Sequence, residues 1–165
     1  SGLCSLGTSV DITLPAIKQA DLVIAEVNPN VPRTFGDSII SMNQIDFAIE
    51  VDHPIDAFEM PKLTEQEQKI GKHVAELVDD GATLQMGIGG IPNAVLEQLH
   101  DRRRLGIHTE MFTNGAIPLI KKGVITGENV VTNPGKVVAC FATGNEDFYE
   151  FIDDNRVELN VTLDR

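Results

Sequence analysis

The sequence predicts an α/β fold, with mostly parallel sheets that carry helices on both faces. Short apolar runs of strand length alternate with amphipathic segments of helix length. Glycine and proline residues separate these runs. Apolar residues make up 42% of the 165 residues, which is typical of a globular protein and not of a disordered one.

The first part of the chain predicts one short helix and at least two strands. Residues 8–19 have near-helical apolar spacing, and Pro15 restricts the helix to a short one. The continuous apolar run at 22–25 predicts a buried strand. Residues 26–32, with two prolines and two asparagines, predict a rigid loop after it, and residues 47–51 predict a further strand.

The second part begins with a helix signal. Thr64 and Glu67 have the spacing of a capping box, in which each residue's side chain bonds the other's backbone amide. We expect an apolar face on this helix and a glycine end at Gly81. That face consists of Ile70, Val74, Leu77 and Val78.

Strands and helices then alternate to residue 152. The order predicts consecutive parallel strands joined by helices. We expect strands at 82–86, 106–110 and 136–142, and helices at 92–99, 117–122 and 146–152. Between the parts, residues 53–63 have two X-Pro steps and no period, which predicts a linker.

Charge and cysteine content exclude several classes of function. The formal charge of −12 argues against a nucleic-acid or anionic-membrane partner. The two cysteines have no metal-ligand spacing, so we expect neither a metal site nor a disulfide framework. No apolar run approaches the ~20 residues of a membrane span, and no signal peptide is visible. We therefore expect a cytoplasmic protein.

A glycine loop follows the strand at 82–86. Such a loop at the carboxyl end of a strand and the start of a helix presents backbone amides to a phosphate, a carboxylate or an oxyanion. Its sequence fits neither a dinucleotide-binding fingerprint nor a P-loop, and a structural tight turn is the alternative. The candidate binding residues are Gly87, Ile88, Gly89, Gly90, Ile91, Pro92 and Asn93.

Glu110 is the candidate nucleophile. It ends a predicted strand at the same edge of the sheet as the glycine loop, where we expect partial burial to favour attack on a thioester. His108 shares its strand face by the period of two. The alternative is a capping or salt-bridged surface glutamate.

Arg33 is a further candidate for binding. It lies in a loop after the strand at 22–25, and its planar guanidinium suits a phosphate or a carboxylate. An ordinary surface arginine is the alternative.

Four stretches together resemble the acetyl-CoA hydrolase/transferase family, in particular its 4-hydroxybutyrate and butyryl-CoA:acetate CoA-transferase members. They are residues 4–7, 21–36, 70–93 and 106–112. The last two also resemble the glycine loop and glutamate motif of the two-subunit CoA-transferases.

The resemblance implies a reaction. It places the family's catalytic glutamate at Glu110, which would form a mixed anhydride with an acyl group and then a glutamyl-CoA thioester. A short-chain carboxylic acid would take the CoA in the reverse steps. Coenzyme A thioester is then a substrate, no cofactor is tightly bound, and the intact enzyme is expected to be a homo-oligomer.

The resemblance also implies a division of the chain. Family members are more than twice as long and have two similar α/β domains. We therefore expect residues 1–52 to end the N-terminal CoA-transferase domain and residues 64–165 to begin the C-terminal one, with 53–63 between them. Such a fragment need not be active alone. Two other functions stay open: an acyl-CoA hydrolase on the same fold, and a non-catalytic phosphate- or nucleotide-binding module.

Overall fold

The computed structural model describes residues 2–59, 61–153 and 160–163. Its helices are α1 (Thr13–Gln19), α2 (Glu65–Ala75), α3 (Gly90–Glu97), α4 (Ile117–Lys121) and α5 (Glu146–Ile152). Its strands are β1 (Leu3–Ser5), β2 (Ile24–Val27), β3 (Phe35–Gly36), β4 (Ile39–Ser41), β5 (Phe47–Glu50), β6 (Thr83–Leu84), β7 (Gly106–Phe112), β8 (Lys136–Ala142) and β9 (Asn160–Leu163).

The main sheet has five parallel strands in the order β3-β9-β8-β7-β6. The strands β6 to β9 are neighbours in sequence order, and α3, α4 and α5 lie between them along the chain. All four strands therefore end on one side, which we call the carboxyl edge. The predicted α/β class with mostly parallel strands is confirmed.

Buried side chains lie on both faces of the sheet. Ile107 and Phe112 of β7 point to opposite faces by the period of two, and both belong to the core. Leu96 of α3, Leu119 of α4 and Phe148 of α5 join them in the same cluster. Helices thus cover the sheet at these levels and fix where β7 and β8 lie.

The strand predicted at 22–25 is β2, shifted to Ile24–Val27, and its predicted burial is wrong. β2 pairs in parallel with β5 in a separate two-stranded sheet. Ile24 is 59% exposed and Phe47, its neighbour in β5, 62% exposed. An apolar run identifies a strand, but it does not specify what covers the strand, and no described element covers this pair fully.

The apolar face predicted for α2 is also wrong. The helix has the predicted capping box of Thr64 and Glu67, but its buried residues are Gly71 and Ala75. Ile70, Val74 and Leu77 are exposed, whereas Val78 packs against the core. The small residues are buried instead, because α3 approaches α2 so closely that only glycine fits at position 71.

Several predicted boundaries also move. α2 ends at Ala75, and Gly81, with φ of 78°, forms a turn before β6 instead of a helix end. β7 continues past Glu110 to Phe112, because Met111 and Phe112 are buried and pair with β8. The strand at 136–142 and the helix at 146–152 have their predicted bounds.

Contacts join the two parts of the chain across the predicted linker. β3 from the first part pairs with β9 at the edge of the main sheet. Val10 is fully buried in the core of the second part, and the backbone amide of Arg33 donates to Asp153 over 2.7 Å. The division at 53–63 stays a prediction, but the two parts are packed together. Within the described residues, no helix is long and apolar enough to cross a membrane.

Candidate active site

Glu110 lies in the middle strand of the trio β6-β7-β8, two residues before the last residue of β7 at the carboxyl edge. On β7, Ile107, Thr109 and Met111 are buried, whereas His108 and Glu110 are exposed. This alternation follows from the period of two, so His108 and Glu110 share an open face of the sheet. We expected Glu110 to be partly buried, and this expectation is wrong, because Glu110 is exposed. Its carboxylate is therefore accessible to a substrate.

Cys140 of β8 is the neighbour of Glu110 across the strands. The pairs Thr109–Ala139 and Met111–Phe141 place Glu110 level with Cys140 on one face. Burial raises the pKa of the Cys140 thiol, and the carboxylates of Asp11 and Glu110 raise it further. The thiol beside Glu110 is therefore kept in its neutral form.

Asp11 reaches this face from the far end of the sequence. The backbone amide of Val10 donates to the carbonyl of Cys140 over 2.9 Å, in a short antiparallel contact with the end of β8. Asp11 follows with φ of 37°, a left-handed value, and its carboxylate accepts a hydrogen bond from Ser9. The carboxylates of Asp11 and Glu110 thus both raise the pKa of the Cys140 thiol.

The glycine loop leaves β6 at the same edge of the sheet. Gly89 has φ of 114° and precedes the first residue of α3, a conformation that glycine adopts without strain. A side chain at Gly90 would collide with the carboxylate of Glu67. Ile88 is 70% exposed, so the loop faces solvent on one side.

Thr109 ties the beginning of this loop to β7. Its hydroxyl donates to the carbonyl of Met86 and accepts from the amide of Met86, both over 2.9 Å. Met86 immediately precedes Gly87, and Thr109 immediately precedes Glu110. The hydrogen bonds between Thr109 and Met86 therefore fix the beginning of the loop next to the residue that precedes Glu110.

A second connection joins the loops after β7 and β8. Asn114 exchanges hydrogen bonds with the side chain and the backbone amide of Asn145. The same Asn145 oxygen accepts from the amide of Phe148 and caps α5. The carboxyl edge is thus held by side chains as well as by strand pairing.

Arg33 lies apart from these groups. It is exposed, its guanidinium stacks 5.7 Å from the ring centre of Phe35, and it lines a cleft of about 670 Å³ in the first part of the chain. Its described partners, Phe35 and Asp153, belong to neither β7 nor the glycine loop. The structure gives Arg33 no contact with Glu110 within the described residues.

No grouping of three or more metal-ligating side chains occurs among the described residues.

The sequence is similar to those of known CoA transferases. A sequence model of the acetyl-CoA hydrolase/transferase N-terminal domain matches residues 1–59. A 4-hydroxybutyrate coenzyme A transferase of Clostridium kluyveri is 46% identical over 163 residues, which is 99% of this chain. The chain belongs to the acetyl-CoA hydrolase/transferase family.

Other members of the family give the same result. A succinyl-CoA:cyclohexane-1-carboxylate CoA transferase of Geobacter metallireducens is 42% identical over 95% of the chain. The crystal structure of a 4-hydroxybutyrate CoA-transferase from Porphyromonas gingivalis superposes with a TM-score of 0.90 at 44% identity, over 94% of the chain. The α/β fold is thus that of a solved CoA-transferase.

The chain spans 38% of the Clostridium relative and 40% of the Porphyromonas structure. It also superposes on a putative citrate lyase subunit of Streptococcus mutans with a TM-score of 0.58 at 17% identity, a likeness of fold alone.

Sequence reasoning missed Asp11, Thr109, Cys140 and the Asn114–Asn145 pair as parts of this site. Cys140 had a local signal, because it lies on a predicted strand that neighbours the strand of Glu110. Asp11 had none, because its approach depends on packing between opposite ends of the chain.

Proposed function

We propose that this chain carries the nucleophile of a CoA-transferase, which moves CoA between an acyl-CoA and a short-chain carboxylic acid through a covalent thioester at Glu110. The observation that carries the proposal is the accessible Glu110 carboxylate on the open face of β7, on the strand to which the glycine loop is tied. The relatives named as CoA transferases support the reaction class.

The proposed reaction begins with attack by a Glu110 oxygen on the thioester carbonyl carbon. The carbon–sulfur bond breaks, and CoA thiolate leaves a mixed anhydride of Glu110 and the acyl group. The thiolate then attacks the Glu110 carbonyl carbon and expels the acyl group as a carboxylate. An acceptor acid takes the CoA by the same steps in reverse, so the thioester is conserved and no ATP or tightly bound cofactor is required.

Each tetrahedral intermediate carries an oxyanion that needs hydrogen-bond donors. The backbone amides at Gly89 and Gly90 are suited to this role, because they lie at the beginning of α3. Small glycines leave room for a substrate to approach the backbone. We assign the loop 87–93 to the pocket of the reacting carbonyl or to the pantetheine arm of CoA.

Glu67 supplies a fixed negative charge beside the glycine loop. Its carboxylate contacts the position of Gly90 at the beginning of α3. Hydrogen bonds from the backbone and the hydroxyl of Thr64 lower the pKa of Glu67, so it is ionised at neutral pH. Because this charge repels an oxyanion as well as a phosphate, a substrate must approach the loop from the side away from Glu67.

The proposal also includes a cytoplasmic site of action and a homo-oligomer for the intact enzyme. Its proposed small-molecule partners are the two substrates, an acyl-CoA and a carboxylate. The acceptor acid is assigned only to the class of short-chain carboxylates.

Trapping with borohydride tests the reaction in the intact polypeptide. Incubation with acyl-CoA alone should load Glu110 with CoA, and borohydride should reduce the thioester to an alcohol. The tryptic peptide covering residues 105–121 should then become about 14 Da lighter, since one oxygen is lost and two hydrogens are gained. Glu110→Gln should abolish the mass change and should lower turnover by several orders of magnitude.

Glu128→Gln is the matched control. Glu128 is an exposed glutamate that faces Arg104 at 3.8 Å, near the amino end of β7. It should keep the mass change and the activity. An unmodified peptide in an active preparation would leave hydrolysis with Glu110 as general base as the better explanation.

A further inference from the structure

The pairing between β6 and β7 is unusually short. The two strands are in register at Thr83–Gly106 and Leu84–Ile107, and β6 ends there. Continuing that register places Met86 level with Thr109. At this level the side chain of Thr109, and not the backbone of β7, forms hydrogen bonds with the segment that follows β6.

The hydroxyl of Thr109 satisfies both backbone groups of Met86. It donates to the carbonyl and accepts from the amide, each over 2.9 Å. Thr109 is only 4% exposed, so water cannot readily replace these two bonds. The backbone separates from the sheet while its polar groups stay paired, and the glycine loop begins at the next residue.

The same residue bears on the carboxylate. Thr109 pairs with Ala139 of β8, and Glu110 follows it on the opposite face of the sheet. One peptide unit therefore separates the anchor of the loop from the proposed nucleophile. A change at the anchor moves the loop relative to Glu110, while the pairing of β7 with β8 keeps the strand in place.

We propose that Thr109 is a positioning residue that sets the glycine loop relative to the Glu110 carboxylate. This inference rests on the proposed function. Amide donors stabilise an oxyanion only when they are aimed at the place where charge develops. Loss of the anchor should therefore lower the rate of reaction more than the binding of acyl-CoA.

The test compares three substitutions in the intact enzyme. Thr109→Val keeps the side-chain volume and removes the hydroxyl, and should lower kcat on the order of 10–100-fold with little change in KM for acyl-CoA. Thr109→Ser keeps the hydroxyl and should stay within about threefold of the wild-type kcat. Thr109→Ala removes the hydroxyl without bulk and serves where the valine variant does not fold.

Hydrogen exchange provides a readout that does not depend on activity. The amides of residues 86–90 should exchange faster in Thr109→Val or Thr109→Ala than in Thr109→Ser, which should match the wild type. Ile125→Ala is the stability control: Ile125 is buried beside Leu105, at the amino end of β7, and should leave kcat and the exchange of 86–90 unchanged.

The outcomes separate this inference from the proposed function. A Glu110→Gln enzyme that stays active overturns the proposed function, and the exchange result then decides whether Thr109 holds the loop. An inactive Glu110→Gln enzyme together with wild-type kcat in Thr109→Val or Thr109→Ala overturns the role of Thr109 alone. Equal losses in Thr109→Val and Thr109→Ser, or unchanged exchange at 86–90, also overturn it.

Discussion

Gly71→Ala is expected to destabilise the protein, although alanine is the better helix former. Gly71 lies in α2, where it faces α3. A methyl group on it would lie 2.5 Å from the carbonyl carbon, 2.6 Å from the β-carbon and 2.7 Å from the carbonyl oxygen of Ala94. Two of these atoms are backbone, so no rotamer change relieves the contact, and α2 must move away from α3.

The magnitude is the difference between two opposing effects. Alanine gains about 1 kcal/mol of helix propensity over glycine. Overpacking in a well-packed interface costs about 1–3 kcal/mol, and the upper end applies to contacts with fixed backbone. We expect a net loss of about 2 kcal/mol, or about 4–8 °C in Tm for a chain of this size.

Urea unfolding followed by circular dichroism measures the change. The midpoint should fall for Gly71→Ala, with the denaturant slope unchanged. Gln68→Ala is the control, because Gln68 is exposed on the same helix and should stay within about 0.5 kcal/mol of the wild type. A Gly71→Ala midpoint equal to or above that of the wild type would show that α2 and α3 are not in the close contact described.

Two further predictions concern the site and the division of the chain. Asp11→Asn removes one of the charges that raise the pKa of Cys140, so alkylation of Cys140 at a fixed pH near 8 should become faster, as measured by peptide mass spectrometry; an unchanged or slower rate would remove Asp11 from this environment. Limited proteolysis should cleave first within 53–63, which has no helix or strand among its described residues; first cleavage within 70–100 would contradict the proposed boundary.

Local signals predicted the elements that hold Glu110. The strand that became β8 and the helix that became α5 were predicted with the bounds that the structure has. The place of Glu110 near the carboxyl edge followed from parallel connectivity. Each of these features is determined by residues close together in the sequence, so a local pattern is enough to predict it.

Features that depend on packing were not predictable in this way. The exposed face of β2 and the buried Gly71 of α2 depend on which elements approach them. The hydroxyl of Thr109 bonds Met86, and Asp11 approaches Cys140, only after the sheet has formed. A single sequence gives no register between strands, and register determines these contacts.

The position of β3 affects the order in which the chain folds. Among the described residues, β3 pairs in the main sheet with β9 alone, and the two strands lie far apart along the sequence. During synthesis, β6, β7 and β8 can pair through short helical crossovers while β9 is still unmade. β3 must wait for β9, so closure of this edge is a non-local event that follows the pairing of β6, β7 and β8. Until then its unpaired backbone is available to other chains, which makes a nascent or truncated product the form most prone to aggregate.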